Sequence, residues 1–214
     1  MPASSYMRDQ SLRRSRAKLL RTRGLPRLTA RVLLSVVLAN GLIPSRISAQ
    51  DRWAAADQQL SRLDPSAFTK VPPGVIAALQ AKHCTIPQAT GDPAPHNLIR
   101  GSFVKPGQTD WAALCSRARA SAIVIIWGGE SACSDELEVR EDRAYLKRVA
   151  GDKIVYTRRI ASASHEGIQR LYDRYGGVKP PDTNRQGIED MTEGEGSEIR
   201  LCYDGRWIEL TGRQ

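Results

Sequence analysis

The sequence has no uninterrupted run of about 20 apolar residues, the length a helix needs to cross a bilayer. It has no G-x-S-x-G elbow to present a serine nucleophile. No C-x-x-C or H-x-x-x-H spacing offers paired metal ligands, and no glycine-rich loop runs into Lys-Ser/Thr to cradle phosphate. No segment repeats at the period of a solenoid or propeller. The local signatures of an elbow-type serine hydrolase, a zinc module, a P-loop enzyme and a repeat array are therefore missing, and no cofactor is implied. A site assembled from residues distant in sequence needs no such signature.

Surplus charge is also missing once the chain is divided. The 214 residues carry 32 Lys+Arg against 23 Asp+Glu, a net charge of +9. Alone, that balance suggests a nucleic-acid or anionic-membrane partner. Ten of the bases and one acid lie before Gln50, which leaves 22 of each sign in residues 50–214. A surface that tracks phosphates needs an excess of Lys and Arg to release counterions. No nucleic-acid partner is expected.

Residues 1–49 read as a signal peptide. A basic stretch to Arg31 precedes the apolar run Val32-Leu33-Leu34-Ser35-Val36-Val37-Leu38-Ala39, and Gly41 and Pro44 break any helix before Ile47-Ser48-Ala49. Small Ala49 and compact Ile47 suit a signal peptidase, which places cleavage before Gln50. The apolar run is about 12 residues long, too short for a lasting span, and the leader has no cysteine to carry a lipid. Arg13-Arg14 is not continued as a twin-arginine signal by Ser15-Arg16-Ala17, and the long basic region leaves Met1 and Met7 both open as starts. The expected location is secreted or periplasmic, with no stable membrane insertion after cleavage. An uncleaved leader gives the alternative of a membrane-anchored protein.

What is present after the leader is a disulfide-permissive globular chain. Cys84, Cys115, Cys133 and Cys202 all follow the cleavage site. An even count in an oxidising compartment reads as two bridges with three possible connectivities, of which Cys84–Cys115 with Cys133–Cys202 is preferred. Residues 50–96 form an N-terminal helical segment and loop. Trp53, Ala56, Leu60 and Leu63 have helical spacing up to Asp64-Pro65, and a second helix starts at Pro72-Pro73 with Val75, Ile76, Ala78 and Leu79 on one face. Residues 86–96 read as loop.

Residues 97–214 form an α+β core in one globular domain with 50–96. Strands are expected over 97–103, 110–115 and 121–127, the last apolar from Ala122 onward and so covered on both faces. Residues 153–157 add another. Ser164 caps a helix carrying Ile168, Leu171, Tyr172 and Tyr175, with Gly176 as its C-terminal cap. Residues 176–197 read as an exposed loop. Asp204-Gly205 between the alternating runs Ile199/Leu201/Tyr203 and Ile208/Leu210 predicts a two-residue hairpin with Cys202 opposite Trp207. The fold class is α+β, with a largely antiparallel sheet and two or three flanking helices.

The stretch Asn97-Leu98-Ile99-Arg100-Gly101-Ser102-Phe103, followed by Gly107-Gln108-Thr109-Asp110-Trp111-Ala112-Ala113-Leu114-Cys115-Ser116, resembles a group of uncharacterised exported bacterial proteins. They share an N-x-I-x-G-x-F…G-Q-x-D-W-A-x-L-C-S segment, an apolar strand ending in Trp (here Ala122–Trp127) and a late G-x-W element (Gly205-Arg206-Trp207). The resemblance extends over residues 80–214 and implies export and a common fold, with no activity attached. More distantly, the segment is similar to the calcium loops of FG-GAP repeats. Ser102, Val104 and Pro106 stand where that pattern has acidic ligands, and only Asp110 remains. Calcium takes six to eight oxygens, so the resemblance implies the loop's shape without its ion.

Each candidate site has a plainer explanation beside it. His83, Cys84, His96 and Cys115 lack metal-site spacing, so no metal is assigned. Ser164-His165-Glu166 with Asp142 suggests a hydrolase, but a helix cap accounts for Ser164 and Glu166. The acids Asp135, Glu136, Glu138, Glu141 and Asp142 alternate with Arg140, Arg143, Lys147 and Arg148, the pattern of a solvated, charge-paired face. Glu189-Asp190, Glu193 and Glu195 form an acidic loop able to hold a cation weakly. Trp111 and Trp127 are the binding candidates, Trp127 because it ends a strand beside Gly128-Gly129. No catalytic residue is assigned. The expected function is a non-catalytic module that binds a protein or glycan through a sheet edge or the Trp127–Cys133 loop. The rival reading is a hydrolase using His165 or an acid among Asp135–Asp142.

Overall fold

The computed structural model describes residues 49–131 and 133–211, which belong to one compact unit. The leader and both candidate start methionines lie outside the described residues. In chain order, α1 (Ala49–Gln59) is followed by the two-residue strand β1 (Arg62–Leu63), α2 (Pro73–Ala81) and the two-residue strand β2 (Ile86–Pro87). Then come β3 (Leu98–Gly101), β4 (Asp110–Arg117), β5 (Ala120–Ile126) and β6 (Arg140–Glu141). The hairpin β7 (Leu146–Arg148) and β8 (Ile154–Tyr156) leads to β9 (Arg158–Ala163) and α3 (His165–Tyr175). The chain closes with β10 (Gly187–Thr192), β11 (Gly196–Tyr203) and β12 (Arg206–Thr211).

The fold is α+β. Two four-stranded antiparallel meanders carry it, one ordered β3-β4-β5-β6 and the other β12-β11-β10-β9. Alternation along β5 sorts its side chains: Val124 joins α2, Phe68 and Leu79 on one face, while Ile123 and Ile125 face Ile160 and Ile188 of the second meander. Burying an isoleucine contributes about 1.5–3 kcal/mol, so a strand apolar on both faces is driven to the middle layer. α3 covers the far face of the second meander through Ile168, packed with Ile199, Leu201 and Leu210.

The meanders abut at the β3 and β9 edges, and side chains join them. Asn97, 1 % exposed and in the left-handed region at φ 68°, accepts from Ile160 N (2.9 Å) and donates to Pro87 O (2.7 Å) and Arg158 O (3.3 Å). Ser162 Oγ donates to Arg100 O (2.6 Å). Disulfides join Cys84 to Cys115 and Cys133 to Cys202, and no cysteine is free. Such bonds persist in oxidising compartments. No helix among the described residues is long and apolar enough to cross a membrane.

Several elements depart from the sequence reading. The first helix ends at Gln59, because Arg62 and Leu63 pair with Pro87 and Ile86. Residues 86–96 are correspondingly not all loop. The strand expected over 97–103 stops at Gly101, where Phe103 folds its ring back over the glycine; a Cβ there would lie 2.3 Å from Phe103 Cε1. Residues 176–197 are not one exposed loop, since β10 lies inside them between β9 and β11. The terminal hairpin has the expected register, with Tyr203 opposite Arg206 and Cys202 opposite Trp207.

Candidate functional site

A groove of about 790 Å³ lies between α1, the 88–95 loop and the β7–β8 hairpin. Its floor is apolar, formed by Leu60, Leu63, Ala89, Leu146 and Tyr156. Its rim is polar, with Arg52, Gln59, Thr90, Asp92 and Lys153. That combination of an apolar floor and a few polar rim groups is the usual composition of a ligand site.

Each wall is held in place. The 88–95 loop, rich in Gly and Pro, is tied at its neck: Gln88 Oε1 accepts from His96 N (2.9 Å), and Gln88 Nε2 donates to the carbonyls of Ile86 and His96 (both 2.9 Å). The His96 ring takes Ala89 N on Nε2 (2.7 Å) and lies 2.9 Å from Ala94 O on Nδ1. Thr90 N bonds to Tyr156 O (3.0 Å), and Asp92 pairs with Arg159 at 3.0 Å. On the opposite wall, Arg52 Nη2 donates to Asp152 O (2.9 Å), which fastens α1 across the β7–β8 turn.

α1 and β1 are anchored from beneath by a buried network. Asp142, 0 % exposed, accepts from Arg62 Nε (3.0 Å), Arg62 Nη2 (2.8 Å), Ser116 Oγ (2.5 Å) and Ser121 Oγ. Arg62 Nη2 also reaches Asp57 Oδ1 of α1 at 2.9 Å. Asp142 therefore leaves the solvated face on which the sequence places it. Three other acids of that stretch do form exposed pairs, Asp135 with Lys82, Glu138 with Arg140 and Glu141 with Arg143, and Glu136 forms a half-buried one with Arg117.

The two acids on the groove rim, Asp92 and Asp152, are both held in ion pairs. The Ala94 N–H and then the Arg159 side chain hold the Asp92 carboxyl below its ordinary value. A general acid needs the opposite shift. Asp152 is engaged by Arg52 and Arg148. Ser164 caps α3 by accepting from Gly167 N (3.1 Å). His165 is the first residue of that helix, and neither it nor Asp142 lines the groove.

The residues weighed as metal ligands are in structural use. Cys84 and Cys115 are bonded to each other. His83 takes φ 54° and closes α2, its N–H bonding Gln80 O (2.8 Å) while Cys84 N bonds Leu79 O (3.0 Å). This is the left-handed helix stop usually given to glycine. Among the described residues no group of three or more His, Cys, Asp or Glu is placed to hold a metal ion. In the acidic segment, Asp190 sits on β10 bonded to Arg158 (3.0 and 2.7 Å), and Glu195 pairs with Lys147 at 2.9 Å. Arg158 is 2 % exposed and lies 4.4 Å above the Tyr145 ring. Burial opposes its charge, but the hydrogen bonds and charge of Asp190 outweigh it and hold its pKa above the ordinary value.

Trp111 and Trp127 are not brought together. Trp111 pairs with Ile126 and packs in the α2 layer, whereas Trp127, one residue further, belongs to the opposite face. There it stacks on Trp207 with centroids 6.1 Å apart, and Trp207 Nε1 donates to Ser134 O (3.1 Å). Gly128-Gly129 is not a free tether: a Cβ on Gly128 would sit 1.9 Å from Thr109 O, and Gly128 N bonds Asp110 Oδ1 at 3.0 Å. The edge of β5 is also covered, as Ile125 N bonds Asp135 O (2.8 Å) and Leu137 N bonds Ile123 O (2.9 Å).

Asp110, the one acid left from the calcium-loop pattern, is 0 % exposed. Its Oδ2 accepts from Phe103 N (3.0 Å) and Val104 N (3.3 Å), and its Oδ1 from Gln108 Nε2 (2.7 Å) and Gly128 N. Protein donors fill the places a cation would take. The groove itself escaped the sequence reading, because three separate segments build it from small and aliphatic residues with no motif. No family model, curated protein or solved structure matches the chain.

Proposed function

We propose that this chain, exported to the periplasm or beyond the cell, is a non-catalytic module that binds a protein segment or a glycan in the groove between α1 and the 88–95 loop. The observation that carries this reading is the groove itself: an apolar floor and polar rim between walls fixed by Gln88, His96, Arg52 and the Asp142 network. A pre-formed site avoids the ordering cost that weakens binding by mobile loops. Two disulfides and a near-neutral chain after residue 49 support the export reading and disfavour a nucleic-acid partner. The proposed kinship with exported proteins of the N-x-I-x-G-x-F…D-W-A-x-L-C-S type bears on the fold only. Asn97, Gly101, Phe103, Gln108 and Asp110 of that segment all serve packing or hydrogen bonding.

The test is a peptide and glycan array probed with residues 50–214. Ala94→Trp and Ala55→Arg, two groove-lining changes, are the comparison variants. Binding by the parent that both variants lose, with unchanged unfolding midpoints, is the expected result. Equal binding by the variants refutes the groove. Turnover of an ester, peptide or glycan substrate that His165→Ala abolishes establishes the hydrolase instead.

A further inference from the structure

We infer that the occupant of the groove is an extended, acidic peptide segment, its backbone paired to the open edge of β8 at Ile154 and its carboxylate set against Lys153. The inference rests on the groove reading above and narrows it from two ligand classes to one.

The β7–β8 ladder decides which backbone groups are free. Val149 N bonds Lys153 O (2.9 Å) and Thr157 N bonds Tyr145 O (3.0 Å), in the register that sets Lys147 opposite Val155. Antiparallel strands alternate between residues that exchange hydrogen bonds with the partner strand and residues that turn theirs away. Lys153, Val155 and Thr157 therefore face β7, and Ile154 and Tyr156 face outward. Tyr156 O fits that alternation, since it takes Thr90 N (3.0 Å) from the 88–95 loop. Ile154 lies two residues earlier on the same edge, and it lines the groove with Thr90. Among the described residues no group takes up its outward N–H and C=O. An extended segment laid along that edge supplies the matching acceptor and donor, the means by which a strand edge holds a peptide backbone. The floor beneath is aliphatic, from Leu60, Leu63 and Leu146, and takes the alternate side chains that such a segment turns inward.

Charge sets the sign of the segment. At the β7–β8 turn, Asp152 is flanked by Arg52 (3.6 Å) and Arg148 (3.8 Å). The neighbouring Lys153 is exposed and pairs with no carboxylate among the described residues. Three cations thus meet one carboxylate at that end of the groove, whereas Asp92 on the other wall is matched by Arg159 (3.0 Å). A segment that brings a carboxylate to the β8 end is drawn by the surplus, and a basic one is repelled.

The test titrates the full chain, exported by its own leader and purified, against labelled, C-terminally amidated peptides of alternating Ser and Leu that end in Glu, Gln or Lys. Fluorescence anisotropy reads the binding. The Glu peptide should bind about 2- to 5-fold more tightly than the Gln peptide, the range of one exposed ion pair, and the Lys peptide more weakly than either. Lys153→Glu, a change at an exposed side chain, should invert that order. N-methylation of the alternate backbone nitrogens that face β8 should weaken binding about 2- to 10-fold, and methylation of the other set should not. Binding that Ala94→Trp abolishes, but that ignores both the terminal charge and the N-methyl groups, overturns the inference and leaves the groove reading intact. Failure of the Glu peptide to bind, with glycans held in the groove instead, does the same. Peptide binding that Ala94→Trp leaves unchanged overturns both.

Discussion

Replacing Asp110 by Asn exchanges one oxygen for nitrogen, and its consequence follows from the donor count. Each carboxylate oxygen accepts from two N–H groups, Oδ2 from Phe103 and Val104 and Oδ1 from Gln108 and Gly128. With the NH₂ in place of Oδ2 it faces Phe103 N and Val104 N, and in place of Oδ1 it faces Gly128 N and Gln108 Nε2, of which the latter keeps Glu130 O as an acceptor (2.8 Å). A buried donor left unmatched costs about 1–3 kcal/mol, so the substitution costs at least that for Gly128 N, and roughly 2–6 kcal/mol where both Phe103 N and Val104 N are stranded. A domain of this size holds about 5–15 kcal/mol in total, and Asp110→Asn should forfeit part of it. Asp110→Ala, which strands Phe103 N, Val104 N and Gly128 N together, should be no more stable than the Asn variant. Urea unfolding of residues 50–214, followed by tryptophan fluorescence, measures both. An Asn variant within about 1 kcal/mol of the parent refutes the reasoning, because buried unmatched donors cannot be that cheap. Added calcium should leave the parent's midpoint where EDTA leaves it, and a calcium-dependent rise refutes the filled-site account.

Further perturbations probe other parts of the structure. Asp142→Ala leaves Arg62 with Asp57 as its one carboxylate partner and takes the shared acceptor from Ser116 and Ser121, and should cost about 1.5–3 kcal/mol in urea unfolding, while Arg62→Met with Asp142→Leu should recover part of that loss. Removing either disulfide as a double Ser variant should cost about 4 kcal/mol from loop closure alone, slightly more for Cys133–Cys202 (separation 69) than for Cys84–Cys115 (separation 31). Burial raises the Tyr145 and Tyr156 hydroxyls, so ultraviolet titration of the native protein should show two tyrosines ionising late. The folded state then keeps protons that the unfolded chain gives up above the ordinary value of 10.0, so stability should fall as pH rises past that point.

What could be read from the sequence was local. Ser164 and Gly176 bound α3, and Asp204-Gly205 fixes the hairpin register, because each acts on neighbours within a few residues. The strands β9 and β10 escaped for the opposite reason. Their inward positions include Arg158 and Asp190, which read as solvent-facing until paired across 32 residues. Asp142 has the same history, its partner Arg62 lying 80 residues earlier. Gly128-Gly129 suggested freedom where the structure uses small size, since only glycine fits against Thr109 O. The groove was the least legible feature, because alanines and leucines from three segments carry no chemical signature until they are assembled.

The Cys133–Cys202 bond also records the order of assembly. Each meander joins strands consecutive in sequence, so each can form from nearby contacts alone, the fast class of folding event. Cys133 follows the first meander's β5 and Cys202 lies within the second meander's β11, so the two sulfurs meet only when the sheets come face to face. Cys84 and Cys115 need only α2 and β4. Oxidative refolding with timed alkylation should therefore trap Cys84–Cys115 first, and the share of chains holding Cys133–Cys202 then counts molecules whose two halves have docked. Trapping the bonds in the reverse order contradicts that sequence of events.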